Sequence, residues 1–166
     1  MNSSDYYPIA VGNTWTYKMK DGRTFTNTVS GVDGATFKMS NSLMNTTSNL
    51  RKDGGEYLTD GYEAGKWLLM LKDDLKQGDT WEVTFKANGI DTTLVYTVKD
   101  VGTSREVEGR TYKDVVFIDA ESKMSMNGNP IPMKFFTQYY YARGVGLVLT
   151  TTSSGDSMPL ISYELK

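Results

Sequence analysis

Gly12-Asn13-Thr14-Trp15-Thr16-Tyr17-Lys18-Met19 alternates large apolar with polar side chains and then stops at Lys20-Asp21-Gly22. Trp15, Tyr17 and Met19 fall on one side and Thr14, Thr16 and Lys18 on the other, the two-residue period of a half-buried β-strand. Trp81, Val83, Phe85 and Ala87 repeat the pattern against Thr80, Glu82, Thr84 and Lys86. So do Leu94, Tyr96 and Val98, then Ile131, Met133, Phe135, Tyr139 and Tyr141, and finally Ile161, Tyr163 and Leu165. Between these runs stand Asp21-Gly22, Asp33-Gly34, Asn88-Gly89 and Asn127-Gly128, pairs that accept positive φ in a two-residue hairpin. With Gly54-Gly55 and Arg143-Gly144 as further turns, the reading is an all-β antiparallel meander of about a dozen strands. The core is expected to be built from Trp15, Tyr17, Trp81, Phe85, Tyr96, Phe135 and Tyr141. One competing helix, at residues 63–77, would place Leu68, Leu71 and Leu75 on one face. Gly65 inside it and Gly78 after it limit it to a short helix at most.

The opening motif has a second copy. Gly12-Asn13-Thr14-Trp15 recurs as Gly78-Asp79-Thr80-Trp81, each followed by an alternating strand, a Gly-containing turn and a second strand. Those second strands end Thr28-Val29-Ser30-Gly31-Val32 and Thr97-Val98-Lys99-Asp100-Val101. Residues 12–32 and 78–101 are therefore read as two related hairpins within one domain. Hairpins share alternation and turn residues in any case, so the order and spacing of the three features carry the reading.

A chain of 166 residues suggests one domain, long enough to bury about 70% of the surface its unfolded form exposes. The expected division is a polar tether at residues 1–5 and a single β-domain at 6–166. Cysteine is absent, which removes disulfides and thiolate chemistry; histidine is absent too, which removes triads and the commonest general base. Zinc sites draw on those two residues. Lys72-Asp73-Asp74 and Gly155-Asp156-Ser157 lack the spacing of an EF-hand and read as solvated turns. No Walker loop or GxGxxG element precedes a helix, and no cofactor or metal is implied. The net charge of −2, without a basic cluster, suits neither nucleic acid nor an anionic membrane. The longest apolar run, Trp67-Leu68-Leu69-Met70-Leu71, is far short of the roughly 20 residues that span a bilayer. It reads as a strand buried on both faces or as an apolar surface awaiting a partner.

One pair of carboxylates keeps an enzymatic alternative open. Asp119 and Glu121 lie two apart on an expected strand, about 6.5 to 7 Å between Cα atoms, a separation that overlaps the range used by glycosidases. Val116, Ile118 and Ala120 take the other face, and Lys123 continues the polar one, as on an ordinary solvent-facing strand. The aromatic segment 134–141 offers a binding surface instead. Alternation puts Lys134, Phe136, Gln138 and Tyr140 opposite Phe135, Tyr139 and Tyr141, so these four form a candidate strip for an amphipathic ligand.

Four segments carry a resemblance. Tyr6-Tyr7-Pro8-Ile9-Ala10-Val11-Gly12-Asn13-Thr14-Trp15-Thr16-Tyr17, then Leu75-Lys76-Gln77-Gly78-Asp79-Thr80-Trp81, then Gly109-Arg110-Thr111-Tyr112-Lys113-Asp114-Val115-Val116, and Tyr140-Tyr141-Ala142-Arg143-Gly144-Val145-Gly146-Leu147-Val148 resemble a widespread family of uncharacterised bacterial secreted proteins and lipoproteins. The resemblance implies a strongly curved, half-barrel-like antiparallel sheet. It also implies export to the periplasm or cell surface, often through a lipidated cysteine upstream, and it supplies no catalytic residues. Abundant Thr, Ser and Asn agree with export, although Met1-Asn2-Ser3-Ser4-Asp5 has neither the basic nor the apolar part of a signal peptide. The functional expectation is a non-catalytic envelope domain that binds a lipid, glycan or peptide, or joins a surface assembly with another envelope protein. The alternative is a carboxylate-dependent hydrolase using Asp119 and Glu121.

Overall fold

The computed structural model describes residues 5–166. Among them thirteen strands form and no helix. The first half is a meander of β1 (Thr14–Lys18), β2 (Thr24–Asp33), β3 (Thr36–Asn41), β4 (Thr46–Asp53), β5 (Glu56–Thr59) and β6 (Leu68–Lys72). The second comprises β7 (Thr80–Ala87), β8 (Ile90–Val107), β9 (Arg110–Met126), the two-residue β10 (Asn129–Pro130), β11 (Phe135–Ala142) and β12 (Gly146–Thr152). The last strand, β13 (Ser157–Glu164), joins the halves, pairing β12 through Ser157–Pro159 and β1 through Leu160–Glu164. The resulting order is β6-β5-β4-β3-β2-β1-β13-β12-β11-β9-β8-β7, all antiparallel, with β10 on β9. It is a curved sheet that almost closes into a barrel.

Turn chemistry sets the registers. Asn88-Gly89 and Asn127-Gly128 both take positive φ at each residue, as the twist of a two-residue hairpin requires. Gly54-Gly55 does the same, and so does Glu108-Gly109, although Glu is not a favoured residue there. Asp21-Gly22 and Asp33-Gly34 differ from expectation. Only the glycine of each pair has positive φ, and Asp21-Gly22 sits in a longer turn closed by the Met19 N–H on the Arg23 carbonyl.

Two other expectations are corrected. Residues 63–77 are not helical: Leu68–Lys72 pairs with β5 as a strand, where burial of Leu71 outweighs the helical spacing of three leucines. The strand expected from Ile131 begins only at Phe135, because Pro130 and Pro132 lack the N–H groups a ladder needs.

Trp15, Tyr17, Tyr96 and Tyr141 lie in the core as expected, with Tyr6, Tyr57, Leu71, Val115, Val148 and Leu160. Trp81, Phe85 and Phe135 are only half-buried. The first two stand on β7, at the open edge of the sheet. The hairpins at 12–32 and 78–101 carry matching backbone hydrogen bonds. Gly12 N–H donates to Val29 O and Val29 N–H to Asn13 O, just as Gly78 N–H donates to Val98 O and Val98 N–H to Asp79 O. Gly12 and Gly78 have φ of 95° and 93°.

No backbone ladder joins the edge strands β6 and β7. Side chains bridge that seam instead. The Trp81 indole donates to Leu69 O at 3.2 Å, Lys66 Nζ to Thr84 O at 2.6 Å, and Lys86 N–H to Glu63 Oε1 at 2.7 Å. Tyr62 stacks on Phe85 at 5.0 Å and shares a 2.6 Å hydrogen bond with the Tyr96 hydroxyl.

Asp5, Tyr6 and Tyr7 form a stopper at one end of the strands. Asp5 belongs to this stopper: its carbonyl accepts Gly144 N–H, and its carboxylate pairs with Lys52. Residues 1–4 of the expected tether lie outside the described residues. Asp73 accepts from the Tyr6 N–H, the Tyr57 hydroxyl and Lys52, so this member of the Lys72-Asp73-Asp74 run is a structural anchor and not a solvated turn. Asp156, in contrast, does sit in an exposed turn, closed by Thr152 and Ser154.

Candidate functional site

Asn27, Asn41 and Thr46 stand side by side across β2, β3 and β4, with Val29, Met39 and Ser48 in the next row and Phe37, Leu50 and Thr59 in the one after. Residues directly opposite across an antiparallel ladder share a face, so the face grades from amide and hydroxyl groups to apolar ones as it approaches the core. Along it runs a groove of about 730 Å³, whose lining includes Tyr7, the 60–64 loop and Met70 of β6. That volume lies within the usual range of small-ligand sites.

Polar groups inside the groove hold one another in place. Asn41 Nδ2 donates to Asn27 Oδ1 at 3.0 Å, while Asn41 Oδ1 accepts the N–H groups of Leu43 and Met44 and so fixes the β3–β4 turn. Asn49 presents its backbone N–H and its Nδ2 to the two oxygens of Asp60, both at 2.9 Å. Thr59 donates to Asn49 O and accepts from Gly61 N–H. Among the described residues Asp60 is the one carboxylate in the lining, and no Lys or Arg lines it. Burial pushes the hydroxyls of Tyr7 and Tyr62 up from the ordinary phenol value, so both are neutral hydrogen-bonding groups at physiological pH. The arrangement can bind through hydrogen bonds and apolar contact, with the Asp60 carboxylate held by Asn49.

A second cavity, of about 380 Å³, lies between the β1–β2 and β12–β13 turns. Met19, Met158, Thr150 and Thr152 line it, and Lys20 and Asp156 stand 3.9 Å apart at it.

The residues singled out from sequence come together elsewhere. Phe136, Gln138 and Tyr140 share one face of β11, and the register places Glu121, Asp119 and Phe117 directly beside them. The candidate strip and the candidate carboxylates are thus one patch. Within it Gln138 Nε2 donates to Asp119 Oδ1 and Gln138 Oε1 accepts from Thr151, both at 2.8 Å. Tyr140 stacks on Phe117 at 4.6 Å and lies under the Arg105 guanidinium. Lys134 lies before the strand and outside its alternation. Among the described residues no group of three or more Asp or Glu gathers as a metal site would need. The groove residues were missed, though a signal existed. In Phe25-Asn27-Val29 and Phe37-Met39-Asn41 an amide interrupts an apolar phase, a costly substitution unless the amide has a partner.

The fold recurs in solved structures. A candidate exported protein with a YmcC-like fold from Bacteroides fragilis NCTC 9343 superposes with a TM-score of 0.61 at 10% identity, over 97% of this chain and 99% of that one. A candidate lipoprotein from Parabacteroides distasonis ATCC 8503 superposes at 0.63 and 10% identity, over 99% of this chain and 100% of that one. The chain therefore has the all-β fold of these two proteins. No family model matches the sequence, and no curated protein does.

Proposed function

We propose that this chain is a non-catalytic module of the bacterial cell envelope that holds an uncharged ligand in the groove over β2 to β6. The observation that carries the reading is the lining itself: a cavity of binding-site size with amide and hydroxyl groups, apolar depth, no cation, and one carboxylate already engaged by Asn49. The exported and lipoprotein descriptions of its fold neighbours support the location. Against hydrolysis stands the state of the carboxylate pair, since Asp119 is tied to Gln138 on a regular ladder. Amide chemical-shift mapping with a panel of glycans, acyl chains and peptides tests the assignment. Binders are expected to move the signals of Asn27, Asn41 and Asn49 and to be lost in Ser48→Trp, which fills the groove while leaving the strand signal in circular dichroism. Shifts that cluster at Asp119 and Gln138, or binding that survives Ser48→Trp, would overturn it.

A further inference from the structure

We infer that the groove takes a neutral saccharide, read through hydroxyl groups by the amides and hydroxyls of its outer rows. The inference rests on the groove being the binding site and adds the class of ligand. Charge decides the first step. A phosphate, carboxylate or sulfate would need a cation or a cluster of donors on arrival, and among the described residues none that lines the groove is Lys or Arg. A cationic ligand would need a free carboxylate, but both Asp60 oxygens already accept from Asn49.

Hydrogen bonding decides the second step. Asn27 uses its Oδ1 on Asn41, and among the described residues its Nδ2 and the Ser48 and Thr46 hydroxyls have no hydrogen-bond partner. An acyl chain laid across these groups would strip their water and return nothing, a penalty that unsatisfied polar groups always carry. Saccharide hydroxyls both donate and accept, so they can satisfy amide donors and serine hydroxyls together. A peptide has little edge to extend: β5 covers β4 only from Leu50 to Asp53, which leaves Thr46–Ser48 as an open stretch of three residues in the groove wall, and the free edge of β6 faces β7 across the seam.

Apolar contacts complete the fit. Met39, Met44 and Met70 line the same groove, and flexible thioethers adapt to the C–H faces of a ring. Tyr62, one side of which lies on Phe85, contributes an aromatic wall. From β2 to β5 the groove spans three inter-strand steps, roughly 14 Å, which suits a short oligosaccharide better than a single sugar.

Isothermal titration and amide shift mapping with maltohexaose, cellohexaose and chitohexaose as neutral probes test this. Hexagalacturonic acid, decanol and a capped Gly/Ser hexapeptide are the comparators. At least one neutral hexasaccharide is expected to bind ten-fold or more tightly than the acidic one and to move the Asn27, Asn41 and Asn49 side-chain amides. Asn27→Ala combined with Ser48→Ala should weaken it at least ten-fold, and Phe136→Ala with Tyr140→Ala should not change it. If Asn27→Ala fails to fold, Ser48→Ala with Thr46→Ala carries the same expectation. Should decanol, the peptide or the acidic hexamer move the groove amides while the neutral sugars do not, the saccharide assignment fails and the groove stands. If no probe moves a groove amide, the saccharide assignment fails as well, and shifts confined to other surfaces would remove the groove with it.

Discussion

The Trp15 indole donates to the carbonyl of Val145, 130 residues away in the chain, at 2.6 Å. That short approach is possible because residue 146 is glycine. A Cβ there would lie 2.8 Å from Trp15 Nε1 and 3.3 Å from the Tyr7 ring, and the backbone holds φ at +119°. Two of the segments that carry the family resemblance, the one at Gly12-Asn13-Thr14-Trp15 and the one at Arg143-Gly144-Val145-Gly146, therefore meet in one contact. Gly22 separates the two contributions, since its φ is +90° but nothing lies within 4 Å of its would-be Cβ. Gly22→Ala should cost about 1 kcal/mol, for the backbone alone. Gly146→Ala must also displace a fully buried Trp ring, and is expected to cost about 2 kcal/mol more in urea unfolding. Equal losses at the two positions would mean that the Trp15 contact tolerates a methyl group and is not the reason for glycine.

At the scale of the element, the seam between β6 and β7 is the weak point of the sheet. Trp15 and Trp81 open related hairpins, yet Trp15 is 0% exposed whereas Trp81 is half-buried and spans a gap that no ladder crosses. Trp15→Ala should cost about 3 to 5 kcal/mol, as for any fully packed large ring. Trp81→Ala should cost roughly half that, because part of its surface stays in water in the folded state. It should also speed hydrogen exchange in β6 and β7 without touching β1 or β13. A uniform rise in exchange would show that the seam does not open on its own. The hairpins were legible because Asn-Gly and Gly-Gly pairs impose a local twist on the chain. The seam was not: Trp81 alternates as regularly as Trp15, and alternation fixes a side chain's face but not which strands lie beside it. The stopper was hidden for a related reason. Asp73 looks like one of two solvated carboxylates until the fold brings Tyr6, Tyr57 and Lys52 to it. The groove amides stayed unread because a single Asn in an apolar phase acquires meaning only when Asn41 stands opposite Asn27.

For the molecule as a whole, the curled sheet encloses an unusual number of phenols. Burial raises the hydroxyls of Tyr7, Tyr17, Tyr57, Tyr96, Tyr139 and Tyr141 above the ordinary value, and among the minor contributions several of these rings act on one another. Burial alone would lower the ammonium of Lys52, but its hydrogen bonds with Asp5 and Asp73 outweigh that and raise it. The sign of the pH effect follows directly. Above about pH 10 the unfolded chain releases phenolic protons that the folded chain retains, so the folded state binds more protons and stability falls as pH rises. Each buried phenol removes about 1.4 kcal/mol per pH unit beyond that point. Over the first unit, while the unfolded phenols are still only partly ionised, six acting together remove about 6 kcal/mol, comparable with the roughly 5 to 15 kcal/mol that holds a domain folded. Stability should therefore be insensitive to these groups below pH 9 and collapse cooperatively between about pH 10 and 12. The measurement is a paired titration, with tyrosinate absorbance at 295 nm and β-sheet circular dichroism followed on the same sample. Both should change in a single step at one pH. If instead most of the tyrosinate signal develops while the sheet signal is intact, water reaches these hydroxyls in the folded protein, and the sheet does not close over them as tightly as its geometry requires.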